Sequence, residues 1–438
     1  MVVPQLPWLA SPPPGWRRVR VKDTIQDCRN GVWGDEPDGV HDVRCVRVAD
    51  FDRTSRTVRT APTVRSVPPA KRNGRTLTAG DLLIEKSGGG DLQSVGTVVL
   101  YESASNHLPV VCSNFIARMR PATGFAPSFL RYLHAMLYAY GAAERAINQT
   151  IGIQNLDSAE YLATWVAVPP LDEQRRIAGF LDRKTASIDA RIEKQHSMLA
   201  ALADQRCAFV DRAVTEGVYG VRRTFRAGIL GSLPVDWKAT RVKNVVSLTT
   251  SGSRGWAEFY ADDGALFLQS GNLDRRLGLD LSSVQHVRPP ASSEGRRTRV
   301  KQDDILVCIT GALTGNVSHV DRDLGEAYVN QHIALIRPDA ERIEPQFLAY
   351  VLSSRIGADQ FAVSQYGGTK QGLGLQDVRD VVMPLPPAHE QVEIVLFLSR
   401  RLRDHDSLTD ILRVEIDKLL EYRQSLITAA VTGQLAIP

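Results

Sequence analysis

The chain is written twice, and this limits what it can fold into more than any other feature. "PPLDEQRRIAGFL" begins at Pro169, and "PPAHEQVEIVLFL" begins 217 positions later at Pro386. Other matches fall in the same order on either side. "GWRRVRVKD" around Trp16 answers "DWKATRVKN" around Trp237, and "RVADFD" from Arg47 answers "QSGNLD" from Gln269. "GDLLI" from Gly80 answers "DDILV" from Asp303, Arg120-Pro121 answers Arg337-Pro338, and "PSFLRYL" from Pro127 answers "PQFLAYV" from Pro345. "AVT" recurs at Ala213 and Ala430. Solenoid repeats have periods up to about 50 residues, so a unit this long is a duplicated domain rather than a stacking motif. Each copy reads as a mixed α/β domain (residues 1–168 and 218–384) followed by a long helix (169–217 and 385–438), an α+β chain in tandem.

The doubled motif reads as a helix start. Pro170 and Pro387 suit the first helical turn, where a missing N–H is harmless, and Asp172, Glu173 and Glu390 put negative charge near the positive end of the helix dipole. Gly217 and Gly433 sit where helices commonly end in a left-handed residue. The roughly 45 residues between give about 65 Å of helix, long enough for a coiled coil or a spacer. Ile177, Leu181, Ile188, Ile192, Leu199, Leu202 and Phe209 draw one apolar stripe; Ile394, Leu398, Leu402, Leu408, Leu412, Leu419 and Leu426 draw the other. Two such helices in one chain are expected to pack on each other. An antiparallel pair relates the copies by a pseudo-twofold axis and a parallel pair brings the domains together; the stripe alone allows both.

Net charge is only +4, so its distribution carries the information. Lys and Arg exceed Asp and Glu by 19 to 15 in residues 1–168 and by 20 to 18 in 218–384, whereas the helical segments hold 8 against 8 and 6 against 8. Arg44, Arg47, Arg53, Arg56, Arg59, Arg65, Lys71, Arg72 and Arg75 crowd a stretch with two acids. The second copy offers Arg288, Arg296, Arg297, Arg299 and Lys301. Positive clusters at equivalent places fit phosphate contacts, against the plainer reading of solvated loops.

The loops "DCRNGVWG" (27–34) and "SGSRGW" (251–256) also correspond, with Arg29, Asn30, Ser253 and Arg254 as side chains able to reach base edges. Gln269 and Asn272 stand in the segment matching the first copy's arginines. Trp33 and Trp256 are expected to pack inside. A third pair, "NQTIGIQN" and "GGTKQGLG", supplies Gln149, Gln154, Lys370 and Gln371. The expected DNA-contacting set is therefore these residues with Arg56, Arg59, Lys71, Arg72, Arg296, Arg297 and Arg299.

Known catalytic patterns are missing: no Asn/Asp-Pro-Pro-Tyr/Phe, no phosphate-cradling G-x-x-x-x-G-K-[S/T], no G-x-S-x-G and no H-E-x-x-H. Asp81 with Glu85 and Lys86 comes nearest to a nuclease core, but the second copy has Asp304, Cys308 and Ile309 there, so both aspartates read as strand or turn residues. No metal site is expected. Five scattered cysteines (Cys28, Cys45, Cys112, Cys207 and Cys308) fit reduced thiols, and no apolar run approaches the roughly 20 residues of a membrane helix, so a cytoplasmic protein is expected.

Two P-P-x-x-E-Q-x-x-I motifs at this separation (Pro169, Pro170, Glu173, Gln174, Ile177; Pro386, Pro387, Glu390, Gln391, Ile394) resemble the specificity subunit of type I restriction–modification systems along essentially the whole chain. The resemblance implies two target-recognition domains reading the halves of an asymmetric site in double-stranded DNA, held by helices paired as an antiparallel coiled coil that sets the half-site spacing. It implies a non-catalytic subunit that binds no cofactor. S-adenosylmethionine would belong to two modification (methyltransferase) subunits, and ATP and Mg to restriction subunits. Glu173, Gln174, Ile177, Leu181 and Leu202, with Glu390, Gln391, Ile394, Leu398 and Leu419, are the residues expected to serve helix pairing or partner docking. A stand-alone DNA-binding or regulatory protein without a nuclease partner, and a self-sufficient enzyme, are the competing readings.

Overall fold

A computed structural model of the chain describes residues 9 and 11–437, except 61–62, 90–92, 103–107, 151–152, 220–223, 253, 290–296 and 367–371. Its contacts divide into two units, Met1–His196 with Arg413–Pro438, and Ser197–Leu412. The division cuts through both long helices instead of falling at their ends.

In the first unit, β1 (Ile25–Asn30), β2 (Leu82–Glu85) and β3 (Ile116–Pro121) form the centre of a six-stranded sheet in the order β1-β3-β2, continued by Val98–Leu100, Thr57–Val58 and Phe51–Asp52. All four residues of β2 are buried: Leu82, Leu83 and Ile84 as a short apolar run predicts, and Glu85 paired with Arg53. Helix α1 (Pro127–Ala139) starts on a proline at its first turn and buries Phe129, Leu130, Leu133 and Leu137. The strand Trp165–Val168 pairs antiparallel with Arg17–Arg20 and leads into helix α2 (Leu171–Glu216).

The second unit repeats this frame. Here β4 (Val246–Ser251), β5 (Ile305–Cys308) and β6 (Ile333–Pro338) lie in the order β4-β6-β5, continued by Val317–His319. Even the register recurs: Ile116 faces Glu85 and Ala117 faces Asn30, while Ile333 faces Cys308 and Ala334 faces Ser251. Helix α3 (Pro345–Ser353) takes the place of α1, and Val382–Leu385, paired with Lys238–Arg241, leads into helix α4 (Ala388–Val431).

The doubled Glu-Gln motif is a clasp. Trp16 Nε1 donates to Glu173 Oε1 at 3.1 Å, and Trp237 Nε1 donates to Glu390 Oε2 at 3.1 Å. Gln174 Nε2 donates to the Pro169 carbonyl (2.9 Å), and its Oε1 accepts from the Ala126 N–H (2.8 Å), at the N-cap of α1. Gln391 does the same with the Pro386 carbonyl (2.9 Å) and the Glu344 N–H (2.8 Å), at the N-cap of α3. Gln174 is 0% and Gln391 2% exposed, so the two glutamines satisfy buried backbone groups that would otherwise be orphaned. This corrects their assignment to docking: Glu173, Gln174, Glu390 and Gln391 fasten each long helix to the domain that precedes it.

A second shared clasp fixes the sheet. Asp81 accepts from Arg120 through both nitrogens (2.8 and 2.8 Å) and from the Thr78 N–H (2.8 Å). Asp304 accepts from Arg337 (2.8 and 2.7 Å) and from the Lys301 N–H (2.8 Å). Burial pushes the Asp304 carboxyl above its ordinary pKa, and the Arg337 fork opposes that. Both aspartates therefore close a turn into a strand, as their sequence context indicated.

The helices contact each other within each unit. In the first, Asp189 pairs with Arg423 (2.7 Å) and Arg191 with Glu415. In the second, His405 Nε2 donates to the Leu202 carbonyl (2.8 Å), and Val210, Ala213 and Val214 share a cluster with Ile394, Leu398 and Leu402. In both units residue numbers rise along one helix as they fall along the other. Ile177, Leu181, Ile394 and Leu398 are buried, and Leu202 and Leu419 are half-buried. Leu408 departs from the expected stripe: it is exposed, and His405 holds the inward position on that turn. Gly217 and Gly433 close α2 and α4 at φ 77 and 73, and lie against Trp237 and Trp16 respectively. Among the described residues no helix is long and apolar enough to cross a membrane.

Candidate nucleic-acid interface

In each unit three strand ends meet at one edge of the central sheet. In the first these are the C-terminal ends of β1 and β2 and the start of β3; in the second, the ends of β4 and β5 and the start of β6. The backbone hydrogen bonds there are superimposable in pattern. Gly31 N–H donates to the Ile116 carbonyl and Gly252 N–H to the Ile333 carbonyl. Lys86 N–H donates to the Phe115 carbonyl and Ile309 N–H to the His332 carbonyl. Leu156 N–H donates to the Lys86 carbonyl and Leu373 N–H to the Ile309 carbonyl. Glycine is required at the first of these pairs. A Cβ on Gly31 would fall 2.2 Å from the Cys112 and Ser113 carbonyl oxygens, and one on Gly252 would fall 2.0 Å from that of Asn330. The loop glycines seen in sequence thus let two backbones approach.

What this common frame presents differs between the units. In the first, Lys86 Nζ donates to Asn30 Oδ1 (2.7 Å), Arg75 Nε donates to the Asn30 carbonyl (3.0 Å), and Phe115 is 47% exposed. Arg29 pairs with Asp27 (2.9 Å), which also receives the buried Arg118 (2.6 and 2.8 Å). In the second, His332 is exposed between Thr310, at its Nδ1, and Gln331, whose Nε2 lies 3.0 Å from its Nε2. For the Gln331 amide to donate there, His332 Nε2 must be bare, so the ring proton sits on Nδ1 and goes to Thr310.

The expected contact residues sort into three groups. Arg29, Asn30, Arg59, Lys71, Arg254, Arg297 and Arg299 are exposed, and Arg72 is half-exposed. Of these, Lys71, Arg72, Arg254, Arg297 and Arg299 have no ion pair among the described residues, whereas Arg59 lies 3.7 Å from Asp52. In a second group each side chain is already engaged within the chain, and two of them, Arg56 and Asn272, are turned inward and do not fit the role given them. The Arg56 guanidinium stacks over Tyr138, 5.3 Å from the ring centroid, and burial lowers its pKa to about 10. Asn272 is 6% exposed; it accepts from the Gln269 N–H and donates to the Asp280 carbonyl, which makes it the closing residue of a turn. Gln154 accepts from the Val95 N–H (3.2 Å), and Gln269 donates to the Tyr260 hydroxyl (3.2 Å). Of these, Asn272 serves the backbone of its own turn, whereas Gln154 bonds a backbone 59 positions away and Gln269 bonds a side chain at the surface. The third group, Ser253, Arg296, Lys370 and Gln371, lies outside the described residues, as does the side chain of Gln149.

The arginine-rich stretch is also less free than its composition indicates. Arg47 pairs with Asp50, Arg53 with Glu85, and Arg65 with Glu36 while covering Trp33 at 4.8 Å. Trp33 itself is 37% exposed, contrary to the expected interior position, whereas Trp256 is 3% exposed and packs on Phe267 and Tyr328. Sequence reasoning passed over Thr310, Gln331, His332 and Phe115 and dismissed Lys86 with the aspartate it follows. The strand-end register that gathers them was the only available signal. Among the described residues no group of three His, Cys, Asp or Glu is arranged to hold a metal ion.

Residues 294–420 match the family model of the type I restriction modification DNA specificity domain. The specificity subunit of the type I restriction enzyme EcoBI from Escherichia coli is 25% identical over 315 residues, 70% of this chain and 65% of its own length. The MjaVIII specificity subunit from Methanocaldococcus jannaschii is 22% identical over 289 residues, 65% of each chain. These two matches thus span about two thirds of the relatives' length. The MjaX specificity subunit of the same organism is 21% identical over 434 residues, 97% of this chain and 95% of its own. A solved structure described as the basis of complex assembly and conformational transition of the type I R-M system shares the fold at a TM-score of 0.72 and 17% identity, covering 97% of this chain and 99% of that one.

Proposed function

We propose that this chain, which belongs to the family of type I restriction–modification specificity subunits, reads an asymmetric two-part site in double-stranded DNA and carries the enzymes that act there. One observation carries the reading. The two units keep the same strand order, register, Asp–Arg clasp and Glu-Gln clasp, yet present unlike side chains at the same sheet edge. A frame kept constant around a variable polar edge is what two readers of different sequences require. Specificity resides in side chains facing base edges, and positioning resides in the rest.

The partners follow from the family. Two modification subunits with S-adenosylmethionine and restriction subunits with ATP and Mg would supply the chemistry, and this chain would supply none. The opposed run of α2 and α4 within each unit supports an antiparallel coiled coil as the device joining the two recognition domains.

Co-expression with a modification subunit, followed by mapping of methylated adenines, tests this. The expected product is methylation at one non-palindromic site with two specified halves. Replacing residues 1–168 by the first domain of another family member should change one half and leave the other. A chain that purifies without a methyltransferase and directs no methylation refutes the reading in favour of a stand-alone DNA-binding protein. Methylation by this chain alone refutes it in favour of an enzyme.

A further inference from the structure

Resting on the DNA-recognition reading above, we propose that Lys86 and Asn30 together read a guanine in the half-site bound by the first domain. Asn30 is the last residue of β1 and Lys86 the first beyond β2, and the register of β3 between them brings both to the open end of the sheet. Lys86 Nζ donates to Asn30 Oδ1 at 2.7 Å, and Arg75 Nε takes the Asn30 carbonyl at 3.0 Å. Each oxygen of Asn30 thereby already carries a donor of the chain. The groups that carry no partner among the described residues are the remaining N–H groups of the ammonium and the amide N–H groups of Asn30, all donors. The neighbouring carboxylates are engaged as well: Glu85 by Arg53, and Asp27 by Arg118 and Arg29.

A donor-only fork seeks two adjacent acceptors. In the major groove, guanine shows O6 and N7 and no donor, whereas adenine sets its N6 donor beside N7, cytosine shows a donor, and thymine a single acceptor beside a methyl group. A backbone phosphate is also acceptor-only, and the second unit argues against that source. At the same places in the repeated frame it carries Ile309 for Lys86 and Ser251 for Asn30. Phosphates are alike along DNA, so an anchoring cation would be useful in both copies. Ile309 is 6% exposed and packs in the core of its unit, so the second copy presents no cation at that place at all, and an anchor to phosphate common to both readers is not what this position supplies.

The test uses the chain assembled with its modification subunit and a randomised DNA library. The parent complex should specify a G·C pair at one position of one half-site. Lys86→Gln and, independently, Asn30→Ala should relax preference at that pair by roughly 5- to 150-fold and leave the other half-site unchanged. Lys86→Arg, which keeps donors there, should retain the preference. Asn30 is exposed and Lys86 half-buried, and the bond between them lies at the surface, outside the apolar core. Base reading is overturned if Lys86→Gln keeps every base preference, weakens all sequences alike and lowers the salt slope by about 0.9, for that is a phosphate contact. It is equally overturned if preference shifts in the other half-site. A parent complex with no sequence preference overturns the recognition reading itself, a result distinct from either of these.

Discussion

Gln174→Leu and Gln391→Leu measure what the doubled motif contributes. Leucine approximates the shape of glutamine and removes both its donor and its acceptor. In the first unit the change leaves the Pro169 carbonyl and the Ala126 N–H without their partner, and the Gly124 carbonyl loses a longer contact at 3.3 Å. In the second it strands the Pro386 carbonyl and the Glu344 N–H. Each buried group deprived of its partner costs about 1–3 kcal/mol, so each variant should lose about 2–5 kcal/mol after the gain from burying leucine. Gln174→Leu should fall at the upper end because of its third contact. With a urea m-value near 3 kcal/mol/M, a loss of about 3 kcal/mol moves an unfolding midpoint by about 1 M. The glutamines lie in separate units and share no partner, so the double variant should show the sum of the two losses. Equilibrium urea unfolding followed by far-UV circular dichroism reads this, and each single variant should shift a different part of the transition. Midpoints within about 0.2 M of the parent would refute the clasp and restore these residues as partner contacts.

Gly31→Ala and Gly252→Ala should each cost about 1–3 kcal/mol, because the new Cβ meets backbone carbonyls at 2.2 and 2.0 Å. Gly271→Ala, with nothing within 4 Å, is the matched control, and equal melting temperatures in all three variants would refute the close-approach argument. Burial, reinforced by the Arg56 guanidinium, lowers the pKa of His134 to about 3. The unfolded chain takes up this proton first, near pH 6.5. Stability is therefore fully present above that pH and drains as pH falls toward the folded value, by about 2 kcal/mol at pH 5. His134→Gln, which can still bond the Tyr161 hydroxyl, should flatten that slope; parallel profiles for parent and variant would sink the assignment.

The legible part of this protein was local. Pro170 and Pro387 announced the helix starts, and the stripe from Ile177 to Ile192 marked a face that is buried. Leu408 misled because a heptad-like spacing tolerates a polar residue on its inner face, and His405 finds a carbonyl there. Arg56 and Asn272 misled for the converse reason. Composition counts a charged or amide side chain as available, and both are consumed by an aromatic ring and a turn. The Glu-Gln pair was recognised from its repetition, yet its work could not be seen, since Gln174 meets Ala126 only when the helix start folds back 48 positions along the chain.

The order of residues by itself determined that this protein is a duplicated domain-plus-helix, where each long helix begins, and that each ends at a glycine. Those properties depend on neighbours within one or two turns, such as a proline that needs no partner or a glycine free to go left-handed. Only the tertiary structure decided which polar side chains share a surface. Lys86 and Asn30 are 56 positions apart, and His332 meets Thr310 across 22. Strand register brings them together, and register is set by burying the sheet's apolar residues rather than by the residues carried to its edge.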